Sequence, residues 1–236
     1  MPKTSNSADG GSVRLIAELD TMIELLNCDC MEYMATVPDK YFDLAIVDPP
    51  YGIGVNVSMG RRKGQEKSGY HKFAGGDIAP PEKAYFIELQ RISKNQIIWG
   101  ANHFISKIPF DSSCWLVWDK DNGDSDYSDC ELAWCSFSSP VRKFKYRWAG
   151  MLQENMKNKE LRIHPTQKPV ALYNWLLTNC AKKGQRILDT HLGSGSSAIA
   201  AHYFGVDFVG CELDKDYFEA AKARFDMATK QLAMSI

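Results

Sequence analysis

The stretch Arg186-Ile187-Leu188-Asp189-Thr190-His191-Leu192-Gly193-Ser194-Gly195-Ser196-Ser197-Ala198 decides how this chain folds. Its first four residues read as a short strand ending on an acid, and a helix of small residues follows from Ser197 to Tyr203. Between them lies Gly193-x-Gly195-x-x-Ala198. Two glycines let the backbone approach a ligand, and a small third residue lets the helix sit close to the sheet. After Gly205 comes the strand Phe208-Val209-Gly210-Cys211, ending in Glu212, which is 212 - 189 = 23 residues beyond Asp189. A helix from Asp216 to Phe225 completes a β-α-β-α unit. An acid at the end of the second strand is placed to take both hydroxyls of a ribose, so the unit predicts a nucleoside-bearing ligand. The turn alone fits a dinucleotide or S-adenosylmethionine.

Upstream, Phe42-Asp43-Leu44-Ala45-Ile46-Val47 is a short apolar run suited to the middle of a parallel sheet. Asp48-Pro49-Pro50-Tyr51 follows it. Proline donates no ladder hydrogen bond and holds the residue before it extended, so the strand stops with Asp48 at its carboxyl edge. In open α/β sheets ligands bind at that edge. Two prolines also stiffen the turn, fixing Asp48, the Pro49 carbonyl and the Tyr51 ring relative to one another. Acceptors beside an aromatic face suit a flat base carrying an amino group, although Pro-Pro by itself also reads as a plain strand-ending turn.

The remaining elements fill out one α/β domain. Leu25 to Cys30 reads as a strand ending near Asp29, with a helical turn from Met31 to Ala35 that Asp29 is placed to cap. Residues 52–77 lack periodicity and carry seven glycines with Arg61-Arg62-Lys63, Lys67 and Lys72, which predicts a mobile lid beside the Asp48 turn. A helix over 80–93, a strand over 96–100 and strands over 113–120 and 130–137 come next, the last two joined by a polar turn and so antiparallel. From Pro140 to His164 the cations Arg142, Lys143, Lys145, Arg147, Lys157, Lys159 and Arg162 face only Glu154 and Glu160, interleaved with Phe144, Tyr146 and Trp148. Cations alternating with aromatics are expected of a surface that tracks phosphates and stacks bases. A solvated basic strand is the plainer alternative. His164-Pro165-Thr166-Gln167-Lys168-Pro169 then introduces a helix from Val170 to Asn179.

With 236 residues and a net charge of -1, the chain suffices for one domain plus a small insertion, and attraction to a polyanion has to come from local clusters. Cysteines 28, 30, 114, 130, 135, 180 and 211 form no Cys-x-x-Cys pair, which argues for reduced thiols in a cytoplasm and against a zinc module or disulfide framework. No run approaches a membrane span, and residues 1–12 read as a disordered tail ahead of a domain over 13–236.

Together these motifs resemble the S-adenosylmethionine-dependent DNA amino-methyltransferases of adenine N6 and cytosine N4, in the β order where the catalytic half precedes the cofactor half. The resemblance covers about Leu25 to Phe225. It implies a single Rossmann-like α/β domain with circularly permuted motif order, a mostly parallel sheet and an antiparallel edge pair. Asp48, Pro49, Pro50 and Tyr51 then stand as the catalytic motif. For the cofactor, Asp29 would meet the adenine and Glu212 the ribose, while Asp48, Asp189, Gly193, Gly195 and Ser196 line its turn. His164, Thr166 and Lys168 would contact its methionine end. The family usually has Asp-Pro-Phe ahead of the glycine loop, where this chain has Asp189-Thr190-His191; His191 stands where that aromatic packs on the cofactor.

The resemblance further implies a site-specific enzyme of restriction-modification type, acting without a metal on double-stranded DNA as a monomer or homodimer. Residues 140–163 would be its small recognition insertion, and Arg61, Arg62, Lys63, Lys67, Lys143, Lys145 and Arg147 its phosphate contacts. A base inside a duplex is inaccessible, so it must be flipped out, with Tyr51 stacking on it. The Asp form of the motif favours adenine N6 over cytosine N4, and Gly52 and Gly54 suggest room behind the Tyr51 ring for a purine. An inactive DNA-binding relative would be expected to lose Asp48 or the glycine turn, and a dehydrogenase has no use for Asp-Pro-Pro-Tyr.

Overall fold

The computed structural model describes residues 21–54, 77, 79–123, 128–149 and 152–233. The expected tail, nearly all of the lid, and Arg61, Arg62, Lys63 and Lys67 lie outside the described residues.

An eight-stranded sheet forms the centre. Its order is β1 (Ile23–Asn27), β10 (Asp207–Glu212), β9 (Arg186–Asp189), β2 (Phe42–Val47), β3 (Ser93–Trp99), β5 (Cys130–Cys135), β4 (Cys114–Asp119) and β6 (Arg142–Lys145). The first five strands are mutually parallel, so β1, β10, β9 and β2 bring their carboxyl ends to one edge. From β9 the chain winds toward β10 and from β2 toward β3, so the order reverses between them. Such a switch point opens a crevice at the carboxyl edge.

Side chains alternate along β2. Leu44 and Ile46 join the core under α3 (Val170–Cys180) and α4 (Ser196–Phe204), while Ala45 and Val47 join the core under α1 (Cys30–Thr36) and α2 (Lys83–Ile92). Both faces are buried, which is why the strand reads as continuous apolar sequence rather than alternation. Trp99, Trp118 and Trp134 are at most 2% exposed and anchor the half of the sheet beyond β2. Alanine at the fully buried Leu89 of α2 would cost about 2–5 kcal/mol. The last helix, α5 (Lys215–Ala233), packs on α4. Among the described residues no helix is long and apolar enough to cross a membrane.

The antiparallel pair is β4 and β5, and β5 lies inside the sheet, between β3 and β4, rather than at its rim. The rim is β6, in line with the plainer alternative of a solvated basic strand within this segment; it runs parallel to β4. A two-stranded ribbon of β7 (Trp148–Ala149) and β8 (Leu152–Gln153) follows. Within the expected insertion, β6 therefore extends the central sheet, while β7 and β8 form a separate two-stranded sheet.

Candidate active site

At the end of β2, Asp48 is enclosed by groups from three other parts of the chain. Its Oδ1 accepts from the Tyr51 hydroxyl at 2.7 Å, and its Oδ2 lies 2.5 Å from Lys168 Nζ. Lys168 also reaches Glu131 Oε2 at 3.0 Å and the Tyr51 hydroxyl at 3.1 Å, and Lys120 Nζ meets Glu131 Oε1 at 2.6 Å. Two carboxylates and two ammonium groups thus form one neutral cluster around a phenol. The Tyr51 ring stacks on His103, with centroids 5.0 Å apart and planes 15° apart. It lies over Gly100, where a Cβ would come within 2.0 Å of Cε1, so any side chain at 100 would push the ring away. Gly100 has φ 68, a conformation glycine adopts without strain.

The two carboxylates are not equivalent. Burial by itself raises Glu131, but Lys168 and Lys120 outweigh it and hold the acid down at about 2. Asp48 has a single lysine and the Glu131 charge beside it; burial dominates, and its acid is raised above the ordinary carboxylate range. Glu131 is the fixed charge and Asp48 the group poised to take a proton. Lys168, 4% exposed, stays an ammonium because Asp48 and Glu131 overcome the cost of its burial.

Next to this cluster, the turn after β9 is held mostly by its own groups. Gly193 and Gly195 have φ 54 and 72, the left-handed region that the turn requires. A Cβ on Gly195 would also stand 3.3 Å from the Ala221 carbonyl of α5. Asp189 accepts from the Ser197 hydroxyl at 2.6 Å and the His191 amide at 3.0 Å, and burial raises its acid to about 7. Glu212, at the end of β10, accepts from the Gly193 amide at 2.8 Å and the Asp214 amide at 3.0 Å. Asp29 caps α1 through Oδ1, as its position after a strand suggests, and it sits beside Glu212 because Asn27 and Glu212 are in register.

His164 closes this side. Its Nδ1 lies 3.1 Å from the Thr166 hydroxyl, its ring meets Tyr217 edge-on at 4.4 Å, and a Cβ on Gly193 would come within 3.9 Å of it. Burial holds His164 and His191 at about 4, so both rings are neutral at neutral pH. His191 bonds Thr190, whose hydroxyl meets Tyr85 of α2 at 2.5 Å, and the Tyr85 ring stands edge-on to the imidazole.

Several expected site residues are therefore gathered here: Asp48, Tyr51 and Lys168 in one cluster, and Asp29, His164, Thr166, Asp189, His191, Gly193, Gly195, Ser196 and Glu212 around the other. Lys168 sits with the Asp48 turn, although the resemblance placed it at the methionine end of a cofactor. Glu131 and Lys120 were not expected. Nor was Arg224, which donates to the Ser194 carbonyl at 2.7 Å and the Ser196 hydroxyl at 2.9 Å and pairs with Glu160 at 2.6 Å, bracing the glycine turn from α5. A charged residue inside an apolar strand, as in Cys130-Glu131-Leu132-Ala133-Trp134-Cys135, was the available signal, since such a group needs a partner.

The basic segment lies at the far rim. Lys143 pairs with Asp119 at 3.2 Å, and Lys145 and Arg147 with Asp121 at 2.8 and 2.6 Å. Its aromatics pack inward: Phe144 stacks on Tyr146 and Trp175, and the buried Trp148 donates to the Gln167 carbonyl at 2.8 Å. Gly52 offers no room behind Tyr51, because a Cβ there would lie 2.4 Å from Pro80 Cδ, whereas Gly54 has nothing within 4 Å. Asp77 ties the two ends of 52–77 together, accepting from the amides of Gly52 at 2.7 Å and Gly54 at 2.9 Å.

Residues 119–223 match the family described as DNA methylase, covering N6 and N4 methyltransferases. Over these residues the chain is similar to the DNA amino-methyltransferases. Over 87% of its length it is 24% identical to the type II methyltransferase M.HinfI of Haemophilus influenzae, spanning 68% of that protein. Its fold matches M1.HpyAVI, solved in complex with SAM, with a TM-score of 0.54 at 20% identity, covering 86% of this chain and 100% of that one. It also matches the cytosine-N4-specific PvuII DNA methyltransferase with a TM-score of 0.56 at 10% identity, over 89% and 92% of the two chains. The matched residues take in Glu131, Lys168, the glycine turn and Glu212.

Proposed function

We propose that this DNA methyltransferase transfers the methyl group of S-adenosylmethionine to the exocyclic N6 of a flipped-out adenine. The observation that carries the proposal is Asp48: a largely enclosed carboxylate whose pKa burial raises, at the switch point of the sheet, beside a glycine turn braced by Glu212. The chemistry of the second cluster suits the cofactor. Glu212 and Asp29 offer acceptors at adjacent strand ends for ribose hydroxyls and an adenine amine, and neutral His164 and His191 add no positive charge beside a sulfonium.

When bound, S-adenosylmethionine supplies an electrophilic methyl on a cationic sulfur. The residues of the chain act on the amine. Its lone pair is delocalised into the base, and acceptors that hold its hydrogens localise the pair on nitrogen. Asp48 is placed to do so, together with the Pro49 carbonyl of the same stiff turn. Asp48 would take the proton that the amine sheds on methylation and pass it to water. Much of the acceleration is then positioning and charge placement.

Adenine is supported by the Asp form of the Asp48-Pro49-Pro50-Tyr51 motif. With Gly52 packed on Pro80, pocket room behind Tyr51 rests on Gly54 alone. The test incubates the protein with duplex DNA of mixed sequence and methyl-labelled S-adenosylmethionine, digests the DNA to nucleosides and identifies the product by mass spectrometry. N6-methyladenine is expected. N4-methylcytosine would overturn the base assignment, and no labelled base would overturn the reading.

A further inference from the structure

Both oxygens of the carboxylate the target amine needs are already taken. Asp48 Oδ1 holds the Tyr51 hydroxyl at 2.7 Å and Oδ2 holds Lys168 at 2.5 Å, so an arriving amine has to share an oxygen with one of these donors or displace it. Each donor has a second acceptor within reach, and it is the same atom: Glu131 Oε2, 3.2 Å from the Tyr51 hydroxyl and 3.0 Å from Lys168 Nζ. The phenol has one proton and two carboxylates beside it. We infer that Glu131 is a positioning residue for methyl transfer: it takes the Tyr51 hydroxyl and the Lys168 ammonium from Asp48 when the base arrives, and so frees Asp48 for the amine.

This rests on the amino-methyltransferase reading above and adds a residue that no motif indicated. The exchange breaks no covalent bond. The hydroxyl hydrogen rotates from one carboxylate to the other, and the ammonium shifts between two oxygens it already touches. Without Glu131 the displaced hydroxyl and ammonium would be left in an enclosed site with no acceptor, which is where unmade hydrogen bonds cost most.

Glu131 suits the role for two reasons. Lys120 lies 2.6 Å from its other oxygen and keeps it ionised, so it is always ready to accept. It also stands on a strand fixed to the ring it serves, since Gly100, beneath Tyr51, donates to the Leu132 carbonyl at 2.9 Å. The charged and titratable groups facing the cluster are Lys120, Lys168, Tyr51, His103, Tyr173 of α3 and Asp189 of β9. Glu131 and Asp189 are the carboxylates near Asp48, and of the two it is Glu131 that contacts the donors holding Asp48.

The test compares Glu131→Gln and Glu131→Asp with the wild-type protein in DNA methylation kinetics, alongside S-adenosylmethionine affinity by calorimetry and thermal melting. In Glu131→Gln, kcat should fall by about 10-fold or more with cofactor affinity and DNA KM nearly unchanged. The acid limb of its pH profile should move to lower pH, because Asp48 loses a neighbouring negative charge. Glu131→Asp keeps the charge, so its acid limb should stay in place while kcat falls by less. A Glu131→Gln variant with wild-type kcat and an unmoved acid limb overturns the inference. So does a loss of kcat that tracks melting temperature across both variants with neither limb displaced. If Glu131→Gln fails to fold, Glu131→Asp with unchanged kcat overturns it equally. Absence of methyl transfer in the wild type instead removes the reading beneath it.

Discussion

Asp48 and Asp189 end neighbouring parallel strands, and their carboxylates are satisfied in opposite ways. Asp189 takes two neutral donors from its own turn, the Ser197 hydroxyl 8 residues on and the His191 amide 2 residues on. Asp48 takes one donor from its own turn and a full charge from Lys168, 120 residues away, which in turn leans on Glu131 of β5. The turn after β9 is largely complete within a short span of sequence. The turn after β2 exists only once β5 and the segment ahead of α3 have been packed against it. Disturbing the far half of the sheet should therefore harm chemistry before it harms the glycine turn.

The largest effect should come from the carboxylate that acts on the amine. Asp48→Ala should lower kcat on the order of 10²–10³-fold, in line with the loss of one preorganised polar group from an enclosed site, and change cofactor affinity little. Single-turnover methylation with parallel calorimetry separates the two. In the wild type, activity should fall as pH drops through the raised pKa of Asp48, because the protonated form no longer offers a full acceptor. Near-normal turnover in Asp48→Ala would erase the distinction between the turns.

A stability measurement sharpens it. Lys168→Met leaves the Asp48 and Glu131 carboxylates, 15% and 20% exposed, without the cation they share, a situation that costs about 3–5 kcal/mol. Ser197→Ala leaves Asp189 with its second hydrogen bond intact and should cost about 1–2 kcal/mol. Urea unfolding of both variants tests the order. Equal losses would mean that the long-range cluster is no more demanding than the local one.

The same contrast explains what could be read in the sequence. β2 and β9 lie where their short apolar runs and terminal acids put them, because burial on both faces and a proline or glycine stop are local signals. Glu212 and the glycines were legible for the same reason. Glu131 was not, since its use depends on Tyr51 and Lys168, which only the folded sheet brings to it. β6 was legible only as the plainer alternative, a basic strand, because four residues carrying three cations show no strand pattern until β4 pairs with them. Phe144, Tyr146 and Trp148 were read as stacking groups for bases, but aromatic spacing alone does not say which way a ring faces, and here they pack on Trp175 and against Gln167.

The smallest effect lies at that rim, where Lys145 and Arg147 share Asp121. The pairs are exposed, with lysine and arginine side chains 58% and 48% accessible, and solvent screens such pairs strongly, so a phosphate could displace the carboxylate. Asp121 has φ 50, a conformation asparagine tolerates well, so Asp121→Asn removes the charge without straining the turn. If the strand follows DNA, freeing two cations should tighten duplex binding a few-fold and steepen the dependence of log affinity on log salt, by at most about one unit per cation. Lys145→Ala should shift the slope the other way. Unchanged slopes in both variants would make β6 a solvated rim, and would move the search for phosphate contacts to other cations of the chain.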